Sequence, residues 1–290
     1  MGKYIIFIII FAINSFPVDA KDYNYKLAAA LIFKNEAPYL KEWIEYHKLV
    51  GVQHFYLYNN ESTDDFKEVL RPYILHGEVE LCDWNGDRWN LSNSNNANWN
   101  AIQCLAYVDA VSKAKRAKVK WIAIIDSDEF LVPAFDRNLV SLLTRYENKK
   151  IGGVSVKWVM FGTSHVPKIP ENMLLIETLV LNGGWNCIGE KSIFRPERVN
   201  LDCSRGPLIG PHYPEYLPGC CSVPLDYSDI QCNHYWSRDE FFFYNFKLPR
   251  RSIWNTSQET CQEWIDHYNQ STPAGEVILR FIPKLRKCMK

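Results

Sequence analysis

The residues best spaced for chemistry are Asp126 and Asp128, in the run IAIIDSDEFLVP from Ile122 to Pro133. Four apolar residues lead into Asp-Ser-Asp, and a second apolar stretch follows. Residues i and i+2 of a strand point to one face, so the pattern places both carboxylates side by side where a strand leaves the core. Two carboxylates about 4 Å apart repel by roughly 4 kcal/mol at an effective dielectric near 20. A divalent cation relieves that repulsion, and the carboxyl edge of an open α/β sheet is where such folds bind ligands. Mn²⁺ or Mg²⁺ held by one or two carboxylates and a substrate's phosphates is the chemistry this spacing allows. The triplet alone is weak evidence, because Glu78-Val79-Glu80 has the same spacing in an alternating strand pattern. The apolar lead-in and the βα setting separate the two cases.

The elements that must position this pair read as alternating strand and helix. Leu27–Phe33 is a continuous apolar run of strand length, and Asn35 can cap a helix running to Gly51 with Leu40, Trp43, Ile44 and His47 on one face. Gln53–Tyr58 reads as a second strand, Asp65–Leu75 as a helix, Val79–Trp84 as a strand and Ala101–Ala117 as a helix. Trp121–Ile125 follows as a buried strand and Leu139–Tyr146 as a helix, with a polar, Asn-rich loop over Asp87–Asn98. This order predicts an α/β fold with a mainly parallel, helix-covered sheet. After Ile151 the text changes to strands, Val154–Phe161 and Leu174–Leu181, joined by Pro- and Gly-rich connections. Ser237 and Glu240 form an S-x-x-E capping box for a later helix, and Glu259–Asn269 reads as a peripheral one. A single domain over 21–290 is expected, regular in its first half and irregular in its second.

Composition bounds the function. Thirty-three Lys and Arg balance 33 Asp and Glu, which argues against a nucleic-acid partner. Aromatic residues make up 14% of the 290-residue chain; such rings build cores and also platforms for sugars. The start MGK, an apolar run Tyr4–Ile13 and small residues at Val18 and Ala20 predict a signal peptide over residues 1–20, or a short membrane anchor. A secretory or lumenal destination follows, and nine cysteines suit it. Seven of them lie from Cys187 onward, so disulfides are expected in the second half; none forms a C-x-x-C pair, which speaks against zinc. N-x-S sequons occur at Asn60, Asn90, Asn255 and Asn269.

Several ordered blocks resemble glycosyltransferase family 92 and the related family-2-like glycosyltransferases. They are FKNEAPYLKEWIEYHKLVGVQHFYLYNNESTDD (Phe33–Asp65), Gln103 with Ala106-Tyr107, KWIAIIDSDEFLVP (Lys120–Pro133), KSIFRPERV (Lys191–Val199) and NHYWSRDEF (Asn233–Phe241). The resemblance covers about Leu27 to Arg251. It implies a GT-A type fold, Rossmann-like, with a nucleotide-sugar half over about 27–150 and an acceptor half over about 151–255. It also implies transfer of a sugar, often galactose, from a UDP-sugar to a glycan or glycoconjugate acceptor, with Mn²⁺ (or Mg²⁺) and inversion.

The resemblance assigns residues as well. Asn35 and Glu36 would contact the uridine, and Asn59, where relatives often carry Asp, would border base and ribose. Asp126 and Asp128 would hold the metal, with His234 closing the site from the second half and Glu129 hydrogen-bonding nearby. Lys191 and Arg195, with Arg250 and Arg251, would neutralise diphosphate oxygens. Inversion needs a general base, for which Glu190 is the candidate and Asp202, Asp226 and Asp229 are rivals. Trp185, with Tyr213 and Trp236, would offer rings to sugar faces. Two other function classes share parts of the pattern: a non-catalytic sugar- or nucleotide-binding descendant, and a metal-dependent phosphoesterase or nucleotidyltransferase.

Overall fold

The computed structural model describes residues 22–87, 91, 96–136, 138–148, 150–185, 189–202, 209–252 and 257–290. The expected signal peptide, the sequons at Asn90 and Asn255, and Cys187 and Cys203 lie outside these residues. Strand β1 (Tyr25–Phe33) is the centre of the first half. It pairs in parallel with β2 (His54–Asn59) on one side and β4 (Val119–Ile124) on the other, and β3 (Val79–Asp83) adds to β2. The crossovers are α1 (Ala37–Leu49), α2 (Phe66–Leu75) and α3 (Asn96–Arg116).

Alternation along β1 divides the two cores. Leu27, Ala29, Leu31 and Phe33 join Leu40, Trp43, Ile44 and Leu70 of α1 and α2. Ala28, Ala30 and Ile32 instead face Ile102, Ala106, Tyr107 and Ala110 of α3, where two small side chains let the helix approach the sheet.

Beyond β4 the sheet changes direction. β7 (Glu190–Phe194) runs antiparallel between β4 and the long β6 (Ile151–Met160). The other edge of β6 carries β8 (Cys221–Leu225) and then β9 (Ile230–His234), both parallel to it, and β5 (Glu129–Pro133) closes antiparallel on β9. The strand order is β3-β2-β1-β4-β7-β6-β9-β5, with β8 beside β6. The short helices are α4 (Leu139–Thr144), α5 (Leu175–Thr178) and α6 (Glu240–Phe242). α6 continues through a π-helical turn, Phe243–Lys247, into α7 (Leu248–Ser252). α8 (Gln258–Tyr268) and α9 (Ile282–Cys288) follow. Among the described residues no helix is long and apolar enough to cross a membrane.

Four expectations need correction. Leu174–Leu181 holds the helix α5 rather than a strand, because the buried Glu42 carboxylate accepts from the N–H groups of Leu175 (2.8 Å) and Ile176 (3.0 Å). Those are orphan donors of a helix start, and a carboxylate there selects the helical turn. The helix after Ser237 begins at Glu240 and is capped by Asp239, which accepts from Phe242 N at 2.8 Å; the Ser237 hydroxyl turns to the Phe161 and Arg238 carbonyls. Cys220, Cys221, Cys232, Cys261 and Cys288 are free thiols, so no disulfide links the described cysteines of the second half. The α8 segment is less peripheral than expected. Its Cys261 and Ile265 are buried with Trp236, Phe243 and Met160 in a third small core, and α9 packs back on α1.

Candidate active site

Asp126 and Asp128 sit in a turn between β4 and β5, not on a strand, with Glu129 N donating to Asp126 O at 3.1 Å. The turn is held from beneath by α1. Trp43 Nε1 donates to the carbonyls of Asp126 and Glu129, each at 3.0 Å. The Glu129 carboxylate folds back to accept from Asp126 N at 2.8 Å. The consequence is that the two aspartates have different partners rather than sharing one face. Asp126 accepts from Lys191 Nζ at 2.8 Å and, on its other oxygen, from Gln103 Nε2 and Tyr107 OH at 3.3 Å. Asp128 meets Lys247 Nζ at 3.1 Å and His234 Nε2 at 3.5 Å.

Strand register explains why Lys191 and His234 arrive here. Glu129 is paired with His234 across β5 and β9, Met160 with His234 across β6 and β9, and Val156 with Lys191 across β6 and β7. Cross-strand partners share a face, so one face of the curled sheet carries Glu129, His234, Lys191 and Trp158 together. The Trp158 ring lies 4.6 Å from that of His234 and lies against Gly189, where a Cβ would come within 1.8 Å of it.

The charges are compensated in buried surroundings. Burial pushes the Asp128 carboxyl up, but Lys247, His234 and Arg238 outweigh it and hold the group well below the usual carboxylate range. Lys247 behaves oppositely: burial brings it down to about 8, because Asp128 alone supports it while Arg250, Arg238 and Arg251 oppose it. Burial raises Glu129 to about 7 against the pull of Lys191. Lys191 is raised well above the ordinary lysine value, since Asp126 and Glu129 overcome its burial.

As they stand, no three His, Cys, Asp or Glu side chains among the described residues form a metal centre. The donor chemistry nevertheless fits a divalent ion: two carboxylates and an imidazole suit Mn²⁺ or Mg²⁺. Two buried atoms of the site also lack hydrogen-bond partners among the described residues, Glu129 Oε1 and His234 Nδ1, 3.7 Å apart.

Asn35 has a left-handed backbone (φ 55°), and its side chain accepts from Thr63 N at 2.8 Å rather than capping α1. The first turn of α1 is capped instead by Asp64, which accepts from Ala37 N at 2.8 Å. Glu36 is ion-paired with Arg238. Asn59, at the end of β2, donates to Asp83 at 2.9 Å and accepts from Ser62 N at 2.9 Å. Glu190 pairs across the ladder with Lys157, one residue out of phase with Lys191, so it belongs to the opposite face of β7 from the Asp126 cluster. Arg195 is turned to Glu197 at 2.9 Å. Trp185 is 45% exposed and donates to Gln231 at 3.1 Å, and Tyr213 is exposed. Trp236 is a correction, being buried against Phe243 and Trp264.

Lys247 and Arg238 are the residues that sequence reasoning missed. Arg238 lay inside the quoted NHYWSRDEF block and Lys247 in a π-helical turn, a feature frequent at functional sites. Beside Glu36 opens a cleft of about 810 Å³, lined by Tyr39, Ile169, Met173, Phe241, Phe242 and Phe246 with Lys34, Lys168 and Arg250.

With this geometry in hand, comparisons with known proteins fix the class. The profile of Glycosyltransferase family 92 matches residues 28–246. A glycosyltransferase family 92 protein of Oryza sativa subsp. japonica is 28% identical over 182 residues, covering 61% of this chain and 28% of the relative. A family 92 protein of Arabidopsis thaliana is 25% identical over 226 residues, covering 73% and 35%. This chain thus spans about a third of the length of these relatives. Among solved structures, residues 1–349 of S. aureus TarS align with a TM-score of 0.37 at 10% identity, over 84% of this chain and 70% of that one. Glucosyl-3-phosphoglycerate synthase from Mycobacterium tuberculosis gives 0.32 at 14%, over 60% and 58%. The mixed α/β sheet and the Asp126-Ser127-Asp128 turn lie within the matched region. The chain belongs to glycosyltransferase family 92.

Proposed function

We propose that this domain transfers a sugar, galactose being the first to test, from a UDP-sugar to a glycan acceptor with inversion. The observation that carries the reading is the Asp126-Ser127-Asp128 turn at the carboxyl end of β4, where two carboxylates meet an imidazole and two buried ammonium groups. Asp126, Asp128 and His234 would hold a Mn²⁺ or Mg²⁺ ion, which supplies Lewis-acid stabilisation of the departing diphosphate. Lys191 and Lys247 keep positive charge beside the same carboxylates in a site of low dielectric. Asn35 and Asn59, at the ends of β1 and β2, border the space proposed for uridine. Glu36 serves there as the anchor of Arg238. The aromatic cleft beyond Glu36 suits a glycan acceptor, since ring faces pack against sugars and the rim is polar. Delivery to the secretory pathway through residues 1–20 completes the proposal and would require nucleotide sugar in that compartment.

The test is UDP release from UDP-galactose and other UDP-sugars, with and without Mn²⁺ and a mixed glycan acceptor. Asp126→Ala is expected to lower turnover by roughly 100-fold or more, about 2.7 kcal/mol of transition-state stabilisation. Glu190→Gln should stay within about threefold of wild type, given its place on the other face of β7. Absence of UDP release from every donor, together with no UDP binding that Asp126→Ala abolishes, would overturn the reading.

A further inference from the structure

Arg238 joins three segments that are far apart in the chain. Its Nη2 donates to Ser127 Oγ at 3.1 Å, the residue between the two aspartates, and the same nitrogen is ion-paired with Glu36 at the entry to α1. The guanidinium carbon sits in the corner made by two nearly perpendicular rings, 3.7 Å from the centroid of Tyr39 and 4.4 Å from that of Phe242. The residue is 1% exposed, and its Nε and Nη1 atoms have no hydrogen-bond partner among the described residues. Its backbone is left-handed (φ 54°), a conformation that a non-glycine residue keeps only when its surroundings demand it. The turn that bears it, closed by Arg238 N donating to Tyr235 O, is tied a second time to the aspartates through Tyr235 N and Asp128 O at 2.8 Å.

A buried charge with unpaired donors and a disfavoured backbone is a poor way to add stability. It is a good way to set one geometry. We propose that Arg238 is a positioning residue, which locks Ser127 to Glu36 and so holds the Asp126-Ser127-Asp128 turn in one conformation. Its effect on turnover rests on the transfer activity proposed above; its effect on the turn does not. A flat guanidinium meets both Ser127 and Glu36 through Nη2 while its carbon lies over the Tyr39 ring, so a lysine should keep the charge and lose the lock.

The test uses two variants of the full chain. Arg238→Lys removes the flat guanidinium, and Ser127→Ala removes only the hydroxyl at the apex of the turn. Both are expected to lower kcat for UDP release at least fivefold while the KM for the UDP-sugar changes less than threefold. Hydrogen–deuterium exchange should quicken at least fivefold at Asp126 and Glu129, whose amides are bonded inside the turn, with the β1 and β2 amides unchanged. Wild-type exchange at the turn in both variants would overturn the proposal. So would faster exchange spread evenly over the sheet in both, which marks a general stabilising role. If the wild-type chain releases no UDP, the transfer reading fails, and the exchange comparison still decides the lock.

Discussion

Asp128 is the most heavily compensated charge of the site, with Lys247 at 3.1 Å, His234 at 3.5 Å and the Arg238 guanidinium nearby. Removing one partner of a buried pair leaves the other charge uncompensated, at a cost of about 3–5 kcal/mol. Asp128→Asn is therefore expected to lower stability by an amount of that order in chemical denaturation. Adding Lys247→Met should recover most of the loss, and a double mutant no more stable than Asp128→Asn would show that the pair is not coupled. That the two aspartates were candidates is legible in the sequence, from the apolar run before them. Their separation onto different partners is not, because i, i+2 spacing shares a face only on a strand and here the chain turns.

Helix α1 shows the same limit at the scale of an element. Its buried face was readable from spacing, with Leu40, Trp43, Ile44 and His47 all inside. What that face does was not. Trp43 supports the aspartate turn, Glu42 starts α5, and His47 uses both ring nitrogens, on Trp43 O at 2.8 Å and Leu131 N at 3.4 Å. Burial brings the His47 imidazole down to about 3, against support from the Trp43 carbonyl. Its folded value lies below the unfolded value near 6.5, so the unfolded chain binds more protons between these limits. Stability from this group is complete above about pH 6.5 and is lost as pH falls toward 3, at roughly 1.4 kcal/mol per pH unit. Glu42, which burial raises to about 7 against its two backbone donors, works in the opposite direction over part of the same range. Comparison with His47→Gln therefore isolates the histidine. Between pH 6.5 and 5 the wild type should lose about 2 kcal/mol more than the variant in urea unfolding, and parallel curves would refute the assignment. The segment after Leu174 reads as a strand by composition, because the carboxylate that makes it helical lies 133 residues earlier.

At the scale of the molecule, the first and second halves of the chain meet in one continuous sheet, and the candidate site lies where β7 and β9 bring second-half side chains to a first-half turn. A ligand bridging that junction should stabilise the whole domain by linkage. UDP with Mn²⁺ at about 100 times Kd adds roughly 2.7 kcal/mol, a Tm rise of about 5 °C or more by calorimetry. Chelation with EDTA should reverse it, and an unchanged Tm would count against nucleotide binding at this turn. The sequence by itself determined the α/β first half, the family and the carboxylate pair, since these rest on local apolar runs and contiguous blocks. Only the tertiary structure decided which cations face those carboxylates. Lys191 reaches Asp126 across 65 residues and Lys247 reaches Asp128 across 119. One residue of phase on β7 turns Lys191 inward and Glu190 away, and that phase is set by pairing with β6, not by any local preference of the chain.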